Sequence, residues 1–354
     1  MPRASEILDE LCADRPGGIH PKAKHELFLC SLEVITGICE NPAEARADLA
    51  ATLREIKPLL DKRGLGLEST GTHPFANWRG MPITPNERYE RMVDRIKWPA
   101  RRLLIHGVHV HVGVRSGEKA VMTTNALATY LPVILALTTS SPFWHGQDTG
   151  LASARTKIFE GMPTTGIPPR LNGWDEYKNL LNTLIHAGTI ETIKEVWWDI
   201  RPHPDFGTVE LRMSDGIPTL RETMVVAAIA QCLVTEFDQL MDAGEPLPGF
   251  PDWVLRENKW RACRYGMEAD LIVDETGATR PLTEILGDMV TRLTPIAKKL
   301  GSEAELLGAL DIVRDGSSTQ RQRALVAGGA SMQDVVASLV AEFDEDLAES
   351  ETLA

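Results

Sequence analysis

The 354-residue chain lacks the local sequence signatures of several common enzyme classes. It has no GxxxxGK(S/T) loop and no GxGxxG turn between a strand and a helix, so neither a P-loop nor a dinucleotide-binding fold is indicated. The GxSxG elbow of α/β-hydrolases and the HExxH helix of zinc proteases are missing as well. If the protein uses a nucleotide, metal ions and arginines have to hold the phosphates in place of a glycine-rich loop.

Cysteine and long apolar runs are also scarce. An odd, scattered set of five cysteines without a CxxC pair is typical of reduced thiols rather than of a disulfide framework. The longest apolar stretch, residues 130–138, is interrupted by Pro132 and is shorter than the roughly 18 residues of a membrane span. The N-terminal MPRASEILDEL has no signal-peptide hydrophobic region, so we expect a cytoplasmic protein.

Positive charge is in deficit, with 37 lysines and arginines against 50 acidic residues and a formal net charge of −13. Because affinity for nucleic acid depends mainly on basic side chains that neutralise phosphates, we expect no nucleic-acid partner. We expect no attraction to an anionic membrane surface either. A small nucleotide substrate is compatible with this charge, since metal ions and a few local cations suffice to bind it.

Strands are predicted in the first two thirds of the chain, with helices between and after them. Residues with the β-branched, apolar or alternating character of strands lie at 26–39, 64–75, 103–114 and 196–215. Helical spacing predicts helices at 41–64, 219–242, 251–267, 281–300, 303–313 and 331–348. We therefore expect a single α+β domain over 1–354, with a sheet-containing core at about 20–245 and a helical portion at about 246–354.

The segment HGVHVHVGV, residues 106–114, alternates with the period of a strand. Side chains two apart on a strand share one face, so His109 and His111 converge on one side while the valines face the other. Imidazole is a common ligand for Zn²⁺, Mn²⁺ or Fe²⁺ and a rarer one for Mg²⁺. A pair of hydrogen-bonded histidines on a half-exposed sheet is an equally open alternative.

A second strand of this kind is FGTVELRMSD, in which Glu210 and Arg212 share the polar face. The two residues are compatible with a simple ion pair. The alternative is that Glu210 binds a metal ion while Arg212 binds an anionic group such as a carboxylate or phosphate. Two strands with an apolar back and an ionisable front predict a polar, concave platform.

Two further acidic residues lie in the predicted strand at 26–39. Glu33 is flanked by apolar residues, where burial is costly unless the carboxylate is paired or bound to a cation. Glu26 lies seven positions earlier, so strict strand parity places it on the opposite face unless a turn or bulge intervenes. An exposed carboxylate at a strand start is the open alternative for Glu26.

Two arginines near predicted turns, Arg155 in ASAR and Arg201 in DIRPHP, are candidates for binding a carboxylate or phosphate. Pairing with one of the many acidic side chains is the alternative for both.

Six ordered motifs carry a resemblance over most of the chain, from about residue 20 to about residue 290: GTHPF, NERY, HVHVGV, SP…G.DTG.ASAR, WDIRP-P-FGTVELR and RACRYG. Together they resemble the carboxylate–amine ligases related to bacterial glutamate–cysteine ligase, the YbdK-like or type 2 group. The resemblance implies an open, curved, mostly antiparallel sheet similar to that of glutamine synthetase, with helices on its outer face.

The implied reaction is the ATP-dependent joining of a carboxylate, typically the γ-carboxylate of glutamate, to an amine such as cysteine through an acyl phosphate. It implies Mg²⁺ or Mn²⁺ ions and several arginines. By this resemblance the metal ligands are Glu33, His109 and Glu210, with Glu26 at a position that is often acidic. Arg212 faces the transferring phosphate, His111 faces the nucleotide or substrate, and Arg201 and Arg155 are substrate or phosphate contacts.

Members of this family usually begin with a G-x-E-x-E strand whose carboxylates bind metal, and no such motif precedes Glu26 in this sequence. Either the start of this sequence was assigned downstream of the true one, or the protein lacks two metal ligands. In the second case, one alternative is a weak or inactive relative that binds a nucleotide or a protein partner. Another is a zinc hydrolase built on the HxH strand. A sheet edge left open would favour self-association, so a homo-oligomer is also an open alternative.

Overall fold

The computed structural model describes residues 2–350, in which short strands lie between helices and a helical portion follows. The helices are α1 (Ala4–Cys12), α2 (Pro42–Asp61), α3 (Glu87–Ile96), α4 (Trp98–Arg101), α5 (Gly117–Leu127), α6 (Leu131–Leu137), α7 (Ala154–Phe159), α8 (Trp174–His186), α9 (Leu220–Ala243), α10 (Asp252–Tyr265), α11 (Leu282–Leu300), α12 (Glu303–Asp315), α13 (Ser318–Ala327) and α14 (Met332–Glu349). The strands are β1 (Ala23–His25), β2 (Leu32–Val34), β3 (Val110–Gly113), β4 (Phe143–Trp144), β5 (Gln147–Asp148), β6 (Ile200–His203), β7 (Thr208–Leu211), β8 (Asp270–Ile272) and β9 (Thr279–Pro281).

The central sheet has three antiparallel strands in the order β3–β7–β6. Three separate two-stranded antiparallel sheets, β1–β2, β4–β5 and β8–β9, complete the strand pairing of residues 2–350. The predicted α+β class, with antiparallel pairing and a helical C-terminal portion, is confirmed.

The central sheet rests on a helical core through its apolar back. The alternating valines of β3 and its flanks pack against this core, as the period of HGVHVHVGV predicts; they are Val108, Val110, Val112 and Val114. Every residue of α6 is buried, and its aliphatic side chains belong to the same core. The ionisable side chains of β3 and β7 are thereby left on the opposite face of the sheet.

Helix α9 runs through the same core and has well-defined ends. The Thr219 side chain accepts a hydrogen bond from the Glu222 amide at its start, and Gly244 closes it in a left-handed conformation. By length and hydropathy α9 matches a membrane span, and the bent pair α5–α6 does so jointly. Buried core helices share these properties, and α9 contributes many of its side chains to the core.

The helix predictions from residue 219 onward agree with α9–α12 and α14, whereas α13 was not predicted. The prediction of strands only in the first two thirds of the chain is wrong, because β8 and β9 form a short hairpin in the last third. Its turn is closed by the Asp274 carboxylate, which accepts from the amides of Thr276 and Ala278.

The strand predicted at 26–39 is wrong in extent. A turn closes where Ser31 N donates to Phe28 O, and Phe28 forms an isolated bridge with Ile83. Instead of one long strand, the chain forms the hairpin β1–β2. Leu27 and Phe28 lie between the two strands and do not extend the ladder, because their side chains are buried in a separate hydrophobic cluster.

The strand predicted at 64–75 is also wrong, since this segment contains neither strand nor helix. Its backbone bonds to separate parts of the chain. The Gly71 amide donates to Ser140 Oγ at 2.7 Å, and the Gly71 carbonyl accepts from the His106 amide at 3.0 Å. Apolar alternation alone does not reveal that such a segment lacks a partner strand.

Candidate active site

A carboxylate on the middle strand of the central sheet organises the polar face. Glu210 of β7 lies opposite His111 of β3 on one side and Arg201 of β6 on the other. Directly opposed residues in an antiparallel ladder project to the same face, so the register brings these three side chains together. Glu210 is only 2% exposed, so its charge depends on these neighbours for compensation.

Each oxygen of the Glu210 carboxylate accepts a hydrogen bond from a guanidinium. Arg201 Nε donates to Oε2 at 2.6 Å, and Arg212 Nη1 donates to Oε1. Burial alone would raise the pKa of Glu210. A hydrogen bond from His111 and the charges of Arg212 and Arg201 outweigh burial, and they hold the pKa of Glu210 well below its usual range.

The two histidines of β3 and its flank line the open side of this ion cluster. His109 Nδ1 lies 3.6 Å and His111 Nε2 lies 3.5 Å from Glu210 Oε1. The other ring nitrogen of His111 is 2.9 Å from the Thr208 hydroxyl. Burial and the nearby Arg212 charge lower the pKa of His109, although 38% of its side chain is exposed. Both rings are reachable from solvent. The lowered pKa of His109 keeps its imidazole neutral at ordinary pH.

Arg212 combines an ion pair with unused donor capacity. Its Nη1 also lies 3.5 Å from His109 Nδ1. Its Nε is buried and has no hydrogen-bond partner among residues 2–350. A guanidinium that is anchored beside an accessible imidazole is suited to bind a phosphate or carboxylate oxygen. The prediction that Arg212 faces an anionic group is compatible with this geometry.

Arg201 and Arg155 are placed differently from Arg212. Arg201 Nη1 donates to the carbonyls of Ile193 and Val196, so this guanidinium is largely occupied by protein groups. Arg155 is 4% exposed and donates to the carbonyls of Arg212 and Met213 at 3.2 and 3.1 Å. Both side chains support the strands that carry the site, and their predicted substrate contacts remain predictions.

Gly107 provides the space for the Arg155 guanidinium. A Cβ atom at position 107 would lie 2.2 Å from Arg155 Nη2, well inside contact distance. The first glycine of HGVHVHVGV is therefore required by the packing of Arg155, which the alternation pattern did not reveal.

The hairpin β1–β2 brings Glu26 and Glu33 within mutual electrostatic reach, because a turn intervenes between them. Burial is the main cause of a raised pKa at Glu26, and the charge of Glu33 adds to it. Glu33 Oε2 lies 3.3 Å from Lys24 Nζ, its cross-strand neighbour, and its side chain is half-buried. The charge of Glu26 also acts on Arg212, so the hairpin lies beside the central cluster.

The four predicted metal ligands form two groups: Glu26 with Glu33 on the hairpin, and His109 with Glu210 on the central sheet. Carboxylate and imidazole donors suit Mn²⁺ and, with more oxygen donors, Mg²⁺. Among the described residues no three His, Cys, Asp or Glu side chains converge closely enough to hold one ion. Both oxygens of Glu210 are occupied by guanidiniums. The donor chemistry fits, whereas a complete site is not assembled by these residues.

Three supporting residues were not predicted. The His203 ring lies 5.5 Å from that of His111 and stacks on Phe206 at 4.3 Å, and the motif DIRPHP was the signal that could have identified it. Asp199 and Lys259 form a buried ion pair next to the start of β6. A lysine in an amphipathic helix resembles an exposed residue, so the sequence carried no signal for Lys259.

Replacing Glu210 by Gln removes the charge between two guanidiniums and leaves Arg201 buried without a counter-ion. We expect E210Q to lower the free energy of unfolding by about 3–5 kcal/mol at neutral pH. The folded pKa of Glu210 is depressed, so its contribution is complete above the ordinary value of 4.5 and is lost as the pH falls below it. The difference between wild type and E210Q in urea unfolding should therefore narrow below pH 4.5.

Glu195→Gln is the matched control, because Glu195 forms a more exposed pair with Arg95 at 3.0 Å. We expect it to cost at most about 1 kcal/mol. Equal losses in E210Q and E195Q would show that Glu210 does not hold a buried ion cluster.

Comparisons with known proteins place the chain in a family. The family model described as glutamate–cysteine ligase family 2 matches residues 4–342. A protein of Thermobifida fusca, provisionally named glutamate–cysteine ligase 2, is 48% identical over 340 residues, which cover 96% of this chain and 85% of the relative. A protein of Frankia casuarinae, provisionally named glutamate–cysteine ligase 2-1, is 50% identical over 342 residues, which cover 96% and 90%.

A solved structure shares the fold at low sequence identity. The glutamate–cysteine ligase of Francisella tularensis, solved in complex with AMP, superposes with a TM-score of 0.64 at 12% identity, over 93% of this chain and 86% of that one. The predicted fold class is thereby confirmed. With a family model that spans nearly the whole chain and relatives near half identity, the chain belongs to glutamate–cysteine ligase family 2, as its ordered motifs predicted.

Proposed function

We propose that this protein is an ATP-dependent carboxylate–amine ligase that forms a γ-glutamyl-type amide, with glutamate as the acid and an amine such as cysteine as the second substrate. Family membership supports this class of reaction. The observation that carries the proposal is the buried carboxylate of Glu210, which holds Arg212 beside His109 and His111 on one accessible face.

The chemistry requires two anions to approach each other. A carboxylate oxygen of the acid attacks the γ-phosphorus of ATP, the bond to the β-phosphate oxygen breaks, and ADP leaves with an acyl phosphate formed. The amine nitrogen then attacks the acyl carbon, loses a proton, and phosphate departs. Fixed positive groups stabilise the charge that spreads over the transferring phosphoryl oxygens.

Arg212 is the residue best placed for this task. Its buried Nε has no partner among the described residues, whereas its Nη1 is anchored on Glu210. A guanidinium that is held in place by a buried carboxylate is pre-organised for a developing charge. His111 and His109 complete the accessible wall, and His111 is proposed to face the nucleotide. Arg201 is proposed to orient Glu210, because its donors are bound to protein acceptors.

A nucleotide and a divalent metal ion are part of the proposal. The Francisella tularensis ligase was solved in complex with AMP, which supports a nucleotide as a ligand of this chain. Mg²⁺ or Mn²⁺, with Glu26, Glu33, His109 and Glu210 as candidate donors, would supply charge neutralisation at the phosphates when bound. The family favours this reaction over a zinc hydrolase, and nucleotide binding without turnover is the outcome that would indicate an inactive relative.

Replacing Arg212 by Met should lower kcat for ADP release by about 100–1,000-fold, because one pre-organised donor to the developing charge is lost. The measurement is ADP release with ATP, Mg²⁺, glutamate and a series of amines. Arg314→Met is the control, since Arg314 is 68% exposed and pairs with neighbours on its own helix. Equal kcat values for the two folded variants would argue against a role for Arg212 in phosphoryl transfer.

Removal of divalent metal with a chelator should abolish ADP release, and Mg²⁺ or Mn²⁺ should restore it, because triphosphate charge has to be neutralised for attack by a carboxylate. Full activity in the chelated protein, or release of ADP that does not depend on an acid and an amine, would contradict the proposed reaction. Calorimetric titration with ATP separates loss of binding from loss of turnover.

A further inference from the structure

The backbone of Arg212 is held on both sides by buried charged residues from outside its strand. Its amide donates to the Asp199 carbonyl at 2.7 Å, and its own carbonyl accepts from Arg155 Nη2 at 3.2 Å. Strand β7 ends at Leu211, so Arg212 lies one residue beyond the assigned ladder. The bond to Asp199 therefore fixes the point from which the Arg212 side chain leaves the sheet.

Asp199 is itself fixed by a lysine of α10. Lys259 Nζ lies 2.6 Å from Asp199 Oδ2 and 2.7 Å from Glu160 Oε1. Lys259 is 3% exposed and Asp199 is 4% exposed. The Asp199 amide donates to the Gly166 carbonyl at 2.8 Å, so both its side chain and its backbone are restrained.

A buried lysine–carboxylate cluster is costly to desolvate and contributes little to stability compared with apolar packing. Its directional contacts, by contrast, fix the groups that they join. The contacts of the Lys259 ammonium among residues 2–350 are the carboxylates of Asp199 and Glu160, so it acts through Asp199 and not on a substrate.

We propose that Lys259 is a positioning residue for the ligase. It holds the Asp199 carboxylate and thereby fixes the Asp199 carbonyl. That carbonyl in turn fixes the backbone of Arg212, so that the Arg212 guanidinium reaches Glu210 and His109. The catalytic consequence rests on the proposed function. The structural link between Lys259 and Arg212 does not, and it is measurable without turnover.

The chain offers a matched control in Lys157. Its Nζ lies 2.7 Å from Glu160 Oε2, so it shares a carboxylate with Lys259. Its side chain is 34% exposed, and its hydrogen bond is to Glu160 rather than to Asp199. Lys157→Met therefore removes a cation from the same cluster while leaving the link to Arg212 in place.

Hydrogen exchange by mass spectrometry on the full chain tests the link. In Lys259→Met, peptides that cover residues 208–213 should exchange faster than in wild type. Lys259→Arg should restore most of the protection, because a guanidinium still bonds to Asp199. Lys157→Met should match wild type. Wild-type exchange at 208–213 in folded K259M would overturn the inference, whatever the activity.

Steady-state kinetics test the catalytic consequence on the same variants. K259M should lose about 10–100-fold in kcat, with KM for ATP changed by less than about threefold, because a small misplacement of a catalytic group acts mainly on the reaction step. K259R should recover much of this loss, and K157M should be unaffected. Wild-type kcat in K259M, despite faster exchange, would show that Lys259 does not position the reaction.

The double variant K259M/D199N keeps the test decisive if K259M alone does not fold, because it leaves no unpaired charge in the buried site. It should exchange faster than wild type at 208–213, and wild-type exchange there in the folded double variant would overturn the link. Where both single variants fold, a loss of kcat in the double variant equal to the product of the two single losses would show that the residues act separately and overturn the link. If the wild type has no ligase activity, the proposed function fails and exchange alone decides the structural link.

Discussion

The polar face of the central sheet depends on one buried carboxylate placed between two guanidiniums. Glu210 compensates the charges of Arg201 and Arg212 in a buried place where water does not solvate them. The register between β6 and β7 places Glu210 directly opposite Arg201. Without Glu210, two like charges would face each other on neighbouring strands. With it, the Arg212 guanidinium is anchored beside His109, and a fixed positive group of this kind is what a phosphoryl-transfer site requires.

The convergence of the central residues could be predicted because strand parity is a local property. In HGVHVHVGV and FGTVELRMSD every second side chain faces the core, so the remaining ones share the open face. Which strand lies next to which is not local. The ordered motifs indicated the family, and the family's fold indicated which strands are neighbours. The register between His111 and Glu210 then follows from that fold.

Other parts of the site depend on tertiary contacts that the sequence does not express. Arg155 lies in a loop motif that suggests a substrate contact, yet its guanidinium bonds to backbone carbonyls in the space that Gly107 leaves. Glu26 and Glu33 approach each other because of a turn that apolar spacing concealed. Lys259 is buried by packing of α10, and a lone lysine gives no sign of this in advance.

The central claim, that a carboxylate is activated by phosphoryl transfer and then joined to an amine, predicts the fate of one oxygen atom. When the acid substrate carries a heavy oxygen isotope in its reacting carboxylate, attack on the γ-phosphorus moves that oxygen into the inorganic phosphate. Mass spectrometry of the phosphate should find one labelled oxygen for each amide formed. Amide formation with unlabelled phosphate, or ADP release without any amide, would contradict the proposed reaction.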